Sequence, residues 1–559
     1  MAVGEERESG AHRAVSCPAR RYLYDGGCVL TADGSGENRA WLRARFPGRP
    51  IHIASAPEVE AAILSAHGAT LRQEAVEGLA RRMPELSARR VVTPGQARLL
   101  LGACLFLPAG LLLWPHMLLQ GLTLFLALLF VLSGLFRVLL AWVGAGRPNR
   151  AYAVPRHGLP TYTILVPLYR EAVVVPHLAR ALASLDYPRH LLDIKLVLEA
   201  DDAETIAAVE RWCRESGTAS PASEARGGGG AGGSACRRAG ASRSAQSKAA
   251  KGGGGNFEIV RVPPCKPRTK PKAANYALQF ARGEYLVIYD AEDRPEPDQL
   301  LKAVAAFRAG PRQLACVQAR LNFYNADHNW LTRMFALDYA LWFDMLLPGL
   351  DRLGVPMPLG GTSNHFRTQV LRDIGGWDSF NVTEDADIGI RLSQLGYRVS
   401  MIDSTTFEEA PVTLRAWLGQ RSRWLKGYMQ TWLVHMRDPL RLLKQAGLRG
   451  FLAFQLFLGG GIVFALVNPL LWVFFLGTLL LGGGAGWTPG LGLLANNLVL
   501  TLLAMLSPLR SGRGDLSPYG LTVIFYWALV SVAGYWAFKQ LFTRPHHWEK
   551  TAHGIVPPP

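Results

Sequence analysis

Cysteine is scarce in this chain and shows no regular spacing. The 559 residues include seven cysteines, and no two of them stand two residues apart as in the usual zinc-binding pairs. We therefore expect reduced thiols, without a zinc site and without disulfides. The seven are Cys17, Cys28, Cys104, Cys213, Cys236, Cys265 and Cys316.

Charged residues are nearly absent from two long apolar blocks, at 99–143 and 450–541. In the first block Arg137 is the only charged side chain, and each of its two apolar runs approaches or exceeds the ~20 residues that cross a bilayer. The N-terminus also lacks the apolar core of a signal peptide, since residues 1–21 are charged and rich in small residues. The chain is therefore predicted to be a membrane protein, with two transmembrane helices in 99–143 and about three in 450–541.

Arginines flank the first apolar block on both sides, and the short connection inside it has no Lys or Arg. Because cytoplasmic loops carry the excess of Lys and Arg, we expect a cytoplasmic N-terminus and a cytoplasmic segment between the two blocks, at the cell inner membrane. Three spans in 450–541 would put Arg544 and Lys550 on the opposite side, against this trend.

The formal net charge is +17, but no nucleic-acid-binding motif accompanies it. Basic residues beside membrane spans are expected next to anionic lipid. We therefore predict membrane lipid, and not nucleic acid, as the partner of this charge.

Composition divides the rest of the chain. Residues 1–95 look like a small soluble domain whose role the sequence does not reveal. A Gly-, Ala-, Ser- and Arg-rich stretch at 217–255 is predicted to be a disordered insertion, because it has too little apolar surface to offset its ordering entropy. It interrupts a domain at 150–410. Amphipathic interfacial helices are predicted at 411–445, and a short tail at 542–559.

The domain at 150–410 alternates short apolar strands with amphipathic helices. This order predicts an α/β fold with a mostly parallel sheet covered by helices on both faces, inserted between the transmembrane helices. Ligands of such sheets bind at the carboxyl ends of the strands. The predicted elements are strands at 162–167, 194–199, 258–262 and 285–289 and helices at 175–185, 205–214 and 272–281.

Acidic residues follow two of the predicted strands. Asp290, Glu292 and Asp293 come directly after an apolar strand and suit a Mg²⁺ or Mn²⁺ ion that bridges a diphosphate, although an acidic loop capping the next helix would look the same. Glu199 and Asp201 end another strand, where they would either accept hydrogen bonds from a nucleotide or simply be solvated.

Two further segments carry candidate chemistry. Glu384 and Asp385 stand in the first turn of a predicted helix, where a carboxylate is ordinarily a cap or dipole partner. In the segment 413–436, aromatic residues alternate with Arg and Lys, which predicts an interfacial helix that contains Gln420, Arg423 and Trp424. Membrane anchoring alone would explain most of that composition.

The order and spacing of these motifs resemble the processive family 2 glycosyltransferases, the group of cellulose, chitin and hyaluronan synthases. The resemblance runs from about Thr161 to Gly554. Its motifs are Val166 to Glu171, Glu199 to Asp202, Lys270 to Asn275, the Asp290 cluster, Gly360 to Asn364, Thr383 to Asp385, and Gln420 to Trp424.

The resemblance implies a GT-A fold and a role for each candidate residue. Asp385 would be the general base, with Glu384 beside it. Asp290 would hold Mg²⁺ or Mn²⁺ together with either Glu292 or Asp293, since the sequence Asp-Ala-Glu-Asp departs from the usual Asp-X-Asp. The nucleotide sugar would lie against Tyr169, Glu171, Glu199, Asp201, Lys272 and Asp290. The acceptor end and the diphosphate would be held by Gln420, Arg423 and Trp424.

We therefore expect an inverting membrane glycosyltransferase that uses a nucleotide-sugar donor to build a β-linked polysaccharide processively. UDP-glucose is the default donor, with GDP-mannose and UDP-N-acetylglucosamine as alternatives. The expected partners are the donor, a glycan or lipid-linked acceptor, membrane lipid, and export or regulatory proteins. The alternatives are transfer of one sugar to a lipid-linked acceptor and, in a different class, a transporter or scaffold that senses nucleotide sugar. The scarcity of ionisable residues in the spans disfavours a transporter.

Overall fold

The computed structural model of the protein describes residues 15–17, 22–24, 28–145, 157–215, 257–480, 487–548 and 554–556. The predicted disordered insertion at 217–255 lies outside these residues.

The N-terminal part forms a small four-stranded sheet with two helices. Its strands lie side by side in chain order, and they are β1 (Val15–Cys17), β2 (Tyr22–Tyr24), β3 (Val29–Thr31) and β4 (Ile51–Ile53). The helices are α1 (Gly36–Arg45) and the longer α2 (Ala56–Arg82).

The prediction of reduced thiols is wrong at Cys28, which is disulfide-bonded. Cys28 directly precedes β3, which pairs with β2 in an antiparallel hairpin. Such pairing brings together residues many positions apart, which a search for two-residue spacings does not detect. The described cysteines that are free are Cys104, Cys213, Cys265 and Cys316.

An eight-stranded sheet forms the centre of the next domain. Its order is β7-β6-β5-β8-β11-β10-β12-β9. Strands β5 to β8 are mutually parallel, as are β10 and β12, whereas β11 and β9 run antiparallel to their neighbours. The strands are β5 (Tyr162–Leu168), β6 (Leu192–Glu199), β7 (Phe257–Val262), β8 (Tyr285–Ile288), β9 (Arg294–Pro295), β10 (Leu314–Phe323), β11 (Asn364–Arg367) and β12 (Arg398–Glu408).

Helices cover both faces of this sheet. Alternate residues along a strand point to opposite faces, and the buried residues of β5 accordingly divide between two hydrophobic clusters, Leu165 in one and Ile164 and Val166 in the other. The predicted α/β fold is confirmed. The helices are α5 (Val175–Ala183), α6 (Ala203–Glu215), α7 (Lys270–Leu278), α8 (Gln299–Ala309), α9 (Trp330–Tyr339), α10 (Leu347–Leu353), α11 (Thr368–Asp373) and α12 (Glu384–Gln394).

Long helices precede and follow the sheet domain. They are α3 (Pro94–Leu113), α4 (Pro115–Gly144), α13 (Leu414–His435), α14 (Pro439–Phe454), α15 (Gly460–Leu480), α16 (Trp487–Leu506) and α17 (Val523–Thr543). A π-helical segment, Gln455–Gly459, joins α14 to α15. Among the described residues, five helical segments are long and apolar enough to cross a membrane: Pro94–Leu113, Pro115–Gly144, Pro439–Gly477, Gly490–Leu509 and Gly514–Thr543.

Candidate active site

A cavity of about 920 Å³ opens at the carboxyl ends of β5, β6 and β8. The parallel strands bring residues from three distant parts of the chain to this edge of the sheet. The start of α12 and one side of α13 also line the cavity, and residues 546–548 form a further wall. Of the predicted site residues, those that line it are Tyr169, Glu171, Glu199, Asp290, Glu292, Glu384, Asp385, Gln420, Arg423 and Trp424.

The acidic residues after β8 point in different directions. Asp290 and Glu292 line the cavity. Asp293 does not line it and is only 2% exposed, and its Oδ2 accepts hydrogen bonds from the Asp290 backbone N–H and from the Thr362 hydroxyl. Burial, together with the charge of Asp290, raises the pKa of Glu292 to about 8. Among the described residues, no group of three or more His, Cys, Asp and Glu side chains forms a ready metal cage.

Lys270 is a cavity-lining cation that the sequence analysis did not single out. Its ammonium forms an ion pair with Asp290 and donates to the Gly361 carbonyl oxygen at 2.7 Å. Burial opposes its charge, but the nearby carboxylates of Asp290 and Glu384 outweigh burial and raise the pKa of Lys270. This lysine therefore stays charged and offsets part of the acidity of the cavity.

Glu384 and Asp385 are brought to the cavity by the first turn of α12. Asp385 Oδ1 accepts a hydrogen bond from the Ala386 backbone N–H at 2.8 Å. Burial raises the pKa of Asp385, and burial together with the charge of Asp385 raises the pKa of Glu384 to about 8. A carboxylate with a raised pKa is a better proton acceptor than a solvated one.

Helix α13 supplies the opposite wall through Gln420, Arg423 and Trp424. Arg421, between them in the sequence, also lines the cavity and forms an ion pair with Asp338 of α9. Trp424 stacks on Tyr339, with ring centroids 6.1 Å apart. The helix therefore holds one polar and one aromatic surface toward the cavity.

Several polar atoms around the cavity are buried without a hydrogen-bond partner. They include two acceptors, Glu199 Oε2 and Gln420 Oε1, and two donors, Arg423 Nε and Trp548 Nε1. Buried polar atoms of folded proteins are nearly always hydrogen-bonded, and each one left without a partner costs about 1–3 kcal/mol. Their concentration at one cavity indicates that a polar ligand completes it.

The remaining predicted nucleotide contacts lie beside the cavity. Lys272 does not line the cavity and is only 1% exposed. Its ammonium lies 2.6 Å from Glu199 Oε1, with which it forms a buried ion pair. Asp201 is exposed and pairs at 2.6 Å with Arg268, which does line the cavity. Glu199 thus keeps one carboxylate oxygen for a ligand while the other is held by Lys272.

The C-terminal segment is a second part of the site that sequence reasoning missed. His546, His547 and Trp548 line the cavity, and the Arg423 guanidinium lies 4.9 Å from the centre of the Trp548 ring. The available signal was a cluster of aromatic and basic residues directly after the last apolar helix.

Residues 285–538 match the family described as Glycosyl transferase family group 2. The chain is 34% identical over 168 residues to the probable glucomannan 4-beta-mannosyltransferase 6 of Oryza sativa subsp. japonica, covering 29% of each protein. It is 24% identical over 295 residues to the beta-monoglucosyldiacylglycerol synthase of Trichormus variabilis, covering 50% of this chain and 53% of that protein. The similarity to glycosyltransferases of family group 2 therefore lies in the later part of the sheet domain and in the helices that follow it.

These matches are partial, since the chain spans 27% to 60% of the length of the curated relatives it matches. Among solved structures, a mannosyltransferase from Pyrobaculum calidifontis, determined in complex with GDP-Man and Mn²⁺, is similar with a TM-score of 0.41 and 19% identity. The similarity covers 74% of this chain and 98% of that chain.

Proposed function

We propose that this protein is an inverting glycosyltransferase of the cell inner membrane. It transfers a hexose from a nucleotide-sugar donor, with UDP-hexose as the first candidate, onto a growing β-linked glycan at the cytoplasmic face. The observation that carries this proposal is one cavity that joins Asp385, the Asp290 carboxylate and the Gln420–Trp424 wall, with polar atoms left unpartnered among them.

The unpartnered carboxylate oxygen of Glu199 supports uracil as the base of the donor nucleotide. Glu199 Oε1 is held by Lys272 and Oε2 has no partner. One acceptor matches the single ring N–H of uracil, whereas guanine presents an N–H and an adjacent amino group that two acceptors would satisfy better. Tyr169 and Glu171, which lie at the end of the neighbouring strand, would contact the rest of the nucleoside.

The carboxylates of the cavity fit a Mg²⁺ or Mn²⁺ ion that binds together with the nucleotide sugar. Asp290 and Glu292 supply two carboxylates to the cavity, and Asp293 Oδ1 is buried behind them without a hydrogen-bond partner. Such ions commonly bind one or two protein carboxylates and take further oxygens from substrate phosphates. We propose Asp290 and Glu292 as the protein ligands. The bound ion would neutralise negative charge on the departing diphosphate. The positive side chains of Arg423 and Lys270 would neutralise part of the same charge.

Asp385 is the proposed general base. A sugar hydroxyl is a weak nucleophile, so the carboxylate takes its proton as the oxygen attacks the anomeric carbon from the side opposite the nucleoside diphosphate. The new glycosidic bond forms as the bond to the diphosphate breaks, and the configuration inverts. An α-linked donor thus gives a β-linked product.

The aromatic end of the cavity supports a sugar acceptor. Trp424 and Tyr339 stack there, and Trp342 and Tyr428 line the same end. Aromatic faces bind the apolar faces of sugar rings and permit sliding, which supports processive extension. Transfer of one sugar to a lipid is a second candidate, because a relative is named as a synthase of a glucosylated diacylglycerol.

The test is release of free nucleotide from a panel of UDP- and GDP-sugars by the purified full chain in detergent with Mg²⁺ or Mn²⁺. We expect turnover of one donor and a high-molecular-weight product. In Asp385→Asn the rate should fall by about 10²–10⁴-fold while donor binding persists, because the substitution removes the proton acceptor and keeps the shape.

Arg398→Gln is a suitable control, since Arg398 is an exposed residue at the start of β12 and does not line the cavity. A lipid product with one added sugar would favour the second candidate over the polymer. Unchanged turnover in Asp385→Asn would contradict the assigned base. Absence of turnover with every donor, after lipid and glycan acceptors are supplied, would overturn the proposed activity.

A further inference from the structure

Arg137 is a charged side chain in the middle of apolar helices. The apolar stretches 99–143 and 450–514 contain no Asp or Glu, so the candidate membrane spans formed by these stretches offer it no opposite charge. Within the part of the chain that the structure describes, its contacts are with Ser133 and Phe457, and no carboxylate is among them. An ionisable side chain at membrane depth is costly and commonly marks a functional site.

The length of α4 puts Arg137 at the level of the lipid head groups. With the membrane location proposed above, α4 begins at Pro115 on the side away from the sheet domain. Its last turn lies against that domain, where the Arg352 guanidinium donates to the Val143 carbonyl oxygen. The helix from Pro115 to Arg137 is about 33 Å long, which matches the ~30 Å hydrocarbon core of a bilayer. The guanidinium therefore lies near the phosphates of the leaflet that faces the sheet domain.

Only one nitrogen of the guanidinium is bound within the protein. Nη1 of Arg137 donates to the Ser133 hydroxyl and, at 3.4 Å, to the Ser133 carbonyl oxygen. The same hydroxyl donates to the Leu456 carbonyl oxygen at 2.9 Å, which fixes its orientation. Nε and Nη2 donate to no acceptor among the described residues. These two nitrogens form one edge of the planar guanidinium, the edge that binds carboxylate or phosphate through two parallel hydrogen bonds.

The surroundings of this edge leave room for a ligand. Three successive glycines, Gly459 to Gly461, stand at the start of α15, and a Cβ on Gly461 would lie 3.6 Å from Arg137 Nη2. The Phe457 ring covers another side, with its centre 5.9 Å from the guanidinium carbon. The arginine nevertheless stays partly exposed. Backbone and an aromatic ring thus hold the guanidinium while its unbound edge remains accessible from the lipid.

One aromatic ring separates Arg137 from the wall of the active-site cavity. Phe457 packs on Trp342 with ring centroids 4.7 Å apart, and Trp342 stacks on Tyr428 at 6.3 Å. Trp342 and Tyr428 both line the acceptor end of the cavity. Phe457 and Trp342 also stand in two π-helical segments, Gln455–Gly459 and Ala340–Leu346, a local structure that is frequent at functional sites.

We propose that Arg137 is the binding site for the phosphate group of a membrane lipid. Nε and Nη2 hold two phosphate oxygens, while the Ser133 hydroxyl and the Phe457 ring hold the guanidinium in place. An anionic phospholipid and a lipid acceptor that carries phosphate share this chemistry. In either case the bound head group lies beside the acceptor end of the cavity and supports the position of Trp342.

Lipid binding is measured by native mass spectrometry of the delipidated full-length protein in detergent. The protein is titrated separately with dioleoyl phosphatidylglycerol, with a long-chain isoprenoid monophosphate and with dioleoylglycerol, which has no phosphate. We expect tight binding of one phosphate-bearing lipid, and a loss of affinity by about 10- to 100-fold in Arg137→Gln because charged hydrogen bonds are removed. Tighter binding of phosphatidylglycerol identifies a bilayer lipid, and tighter binding of the isoprenoid identifies a lipid acceptor.

Two further variants distinguish a phosphate site from general attraction to anionic lipid. Arg137→Lys keeps the charge but loses the planar edge, so we expect a clear loss of affinity that is smaller than in Arg137→Gln. Arg98→Gln removes a charge from an exposed arginine in the first turns of α3, whose guanidinium donates to the Pro94 carbonyl oxygen. This matched control should bind lipid as the wild type does.

The proposal is overturned if Arg137→Gln binds phosphate lipid with wild-type affinity, or if Arg98→Gln loses as much. It is also overturned if dioleoylglycerol binds as tightly and with the same dependence on Arg137. If Arg137→Gln does not fold, Arg137→Lys decides, since wild-type affinity in that variant contradicts the two-nitrogen contact.

Thermal unfolding gives a second readout of the same site. A lipid that binds the folded protein raises its thermal midpoint, and this rise should shrink in Arg137→Lys and persist in Arg98→Gln. An equal rise in all three proteins would contradict the site. Neither measurement involves glycosyl transfer, so loss of the proposed activity and loss of this site are separate results.

Discussion

Lys270 and Lys272 stand two residues apart in one motif but face different surroundings. Lys270 lines the cavity and pairs with Asp290, whereas Lys272 is buried against Glu199. The resemblance assigned the nucleotide contact to Lys272, and the geometry makes Lys270 the cation that a diphosphate would meet. Sequence alone does not resolve this choice, because the direction of each side chain at the start of α7 depends on how the helix docks on the sheet.

The two lysines should therefore respond differently to replacement by methionine. Removing Lys272 leaves Glu199 without its buried partner, which typically costs about 3–5 kcal/mol, so Lys272→Met should lower the thermal midpoint in detergent. Lys270→Met should leave the midpoint near the wild-type value and weaken turnover, because it removes a positive charge from the cavity. Equal midpoints in both variants would contradict the assignment.

The pH dependence of turnover should report the raised pKa of Asp385. The base must be ionised to accept a proton, and burial raises its pKa above the ~3.9 of a free aspartate. The rate should therefore be lost as the pH falls through this raised value. The measurement is the pH profile of kcat with saturating donor.

Glu384→Gln provides the comparison for that profile. If Asp385 is the base, the fall in rate at acidic pH should persist in this variant, although the rate itself drops. Disappearance of the acidic fall would make Glu384 the base instead.

At the scale of elements, α13 connects the apolar helix α17 to the active site. Its aromatic and basic residues predicted an interfacial helix, and the same helix lines the cavity and holds the C-terminal segment. Lys426 is fully buried in α13 and donates to Gln540, to the Arg544 carbonyl oxygen and to the His547 carbonyl oxygen. This one ammonium joins α13, α17 and the cavity wall.

Replacing Lys426 by methionine should release the C-terminal segment. Three partly buried acceptors then lose their donor, and the wall formed by His546 to Trp548 should detach. We expect faster chymotrypsin cleavage after Trp548 and a higher KM for the donor, measured on the purified protein. Lys444→Met, at an exposed position of α14, is the matched control. Unchanged cleavage in Lys426→Met would mean that other contacts suffice to hold the segment.

The elements of the first half of the sheet domain were predictable from hydrophobic periodicity. Strands β5 to β8 and helices α5 to α7 occur where the alternation predicted them, with ends that differ by a few residues. The contact of the C-terminal residues with the cavity was not predictable, because it pairs residues such as Lys426 and His547 that are 121 positions apart. Helix α17 has the composition of a membrane span, as the sequence predicted.

At the scale of the whole molecule, the N-terminal domain is joined to the back of the active site. Asp378 is 1% exposed and accepts hydrogen bonds from the Ser87 hydroxyl and the Ala88 backbone N–H. The Asn275 and Ser379 side chains beside it both donate to the Ala75 carbonyl oxygen. The loop that Asp378 stabilises continues into Phe380 and Thr383, which line the cavity. The N-terminal domain therefore supports the segment that leads to the proposed base.

Asp378→Asn should weaken the docking of the N-terminal domain. The amide keeps one acceptor oxygen but places N–H groups against the donors of residues 87 and 88, a loss of about 1–3 kcal/mol for buried hydrogen bonds. The measurement is the rate at which protease removes the N-terminal domain from the purified protein. We expect faster release in Asp378→Asn, together with a reduced kcat.

Glu85→Gln removes an exposed contact of the same interface, so that its effect can be compared with that of the buried contact at Asp378. Glu85 pairs with Arg441 at 3.1 Å, and both side chains are over 40% exposed. Surface pairs of this kind contribute little to stability because water and salt screen them, so release should proceed at the wild-type rate. If Glu85→Gln releases the domain as fast as Asp378→Asn, the docking depends on surface charge. If neither variant changes release or kcat, the packing of α2 on α7 holds the domain without help from Asp378.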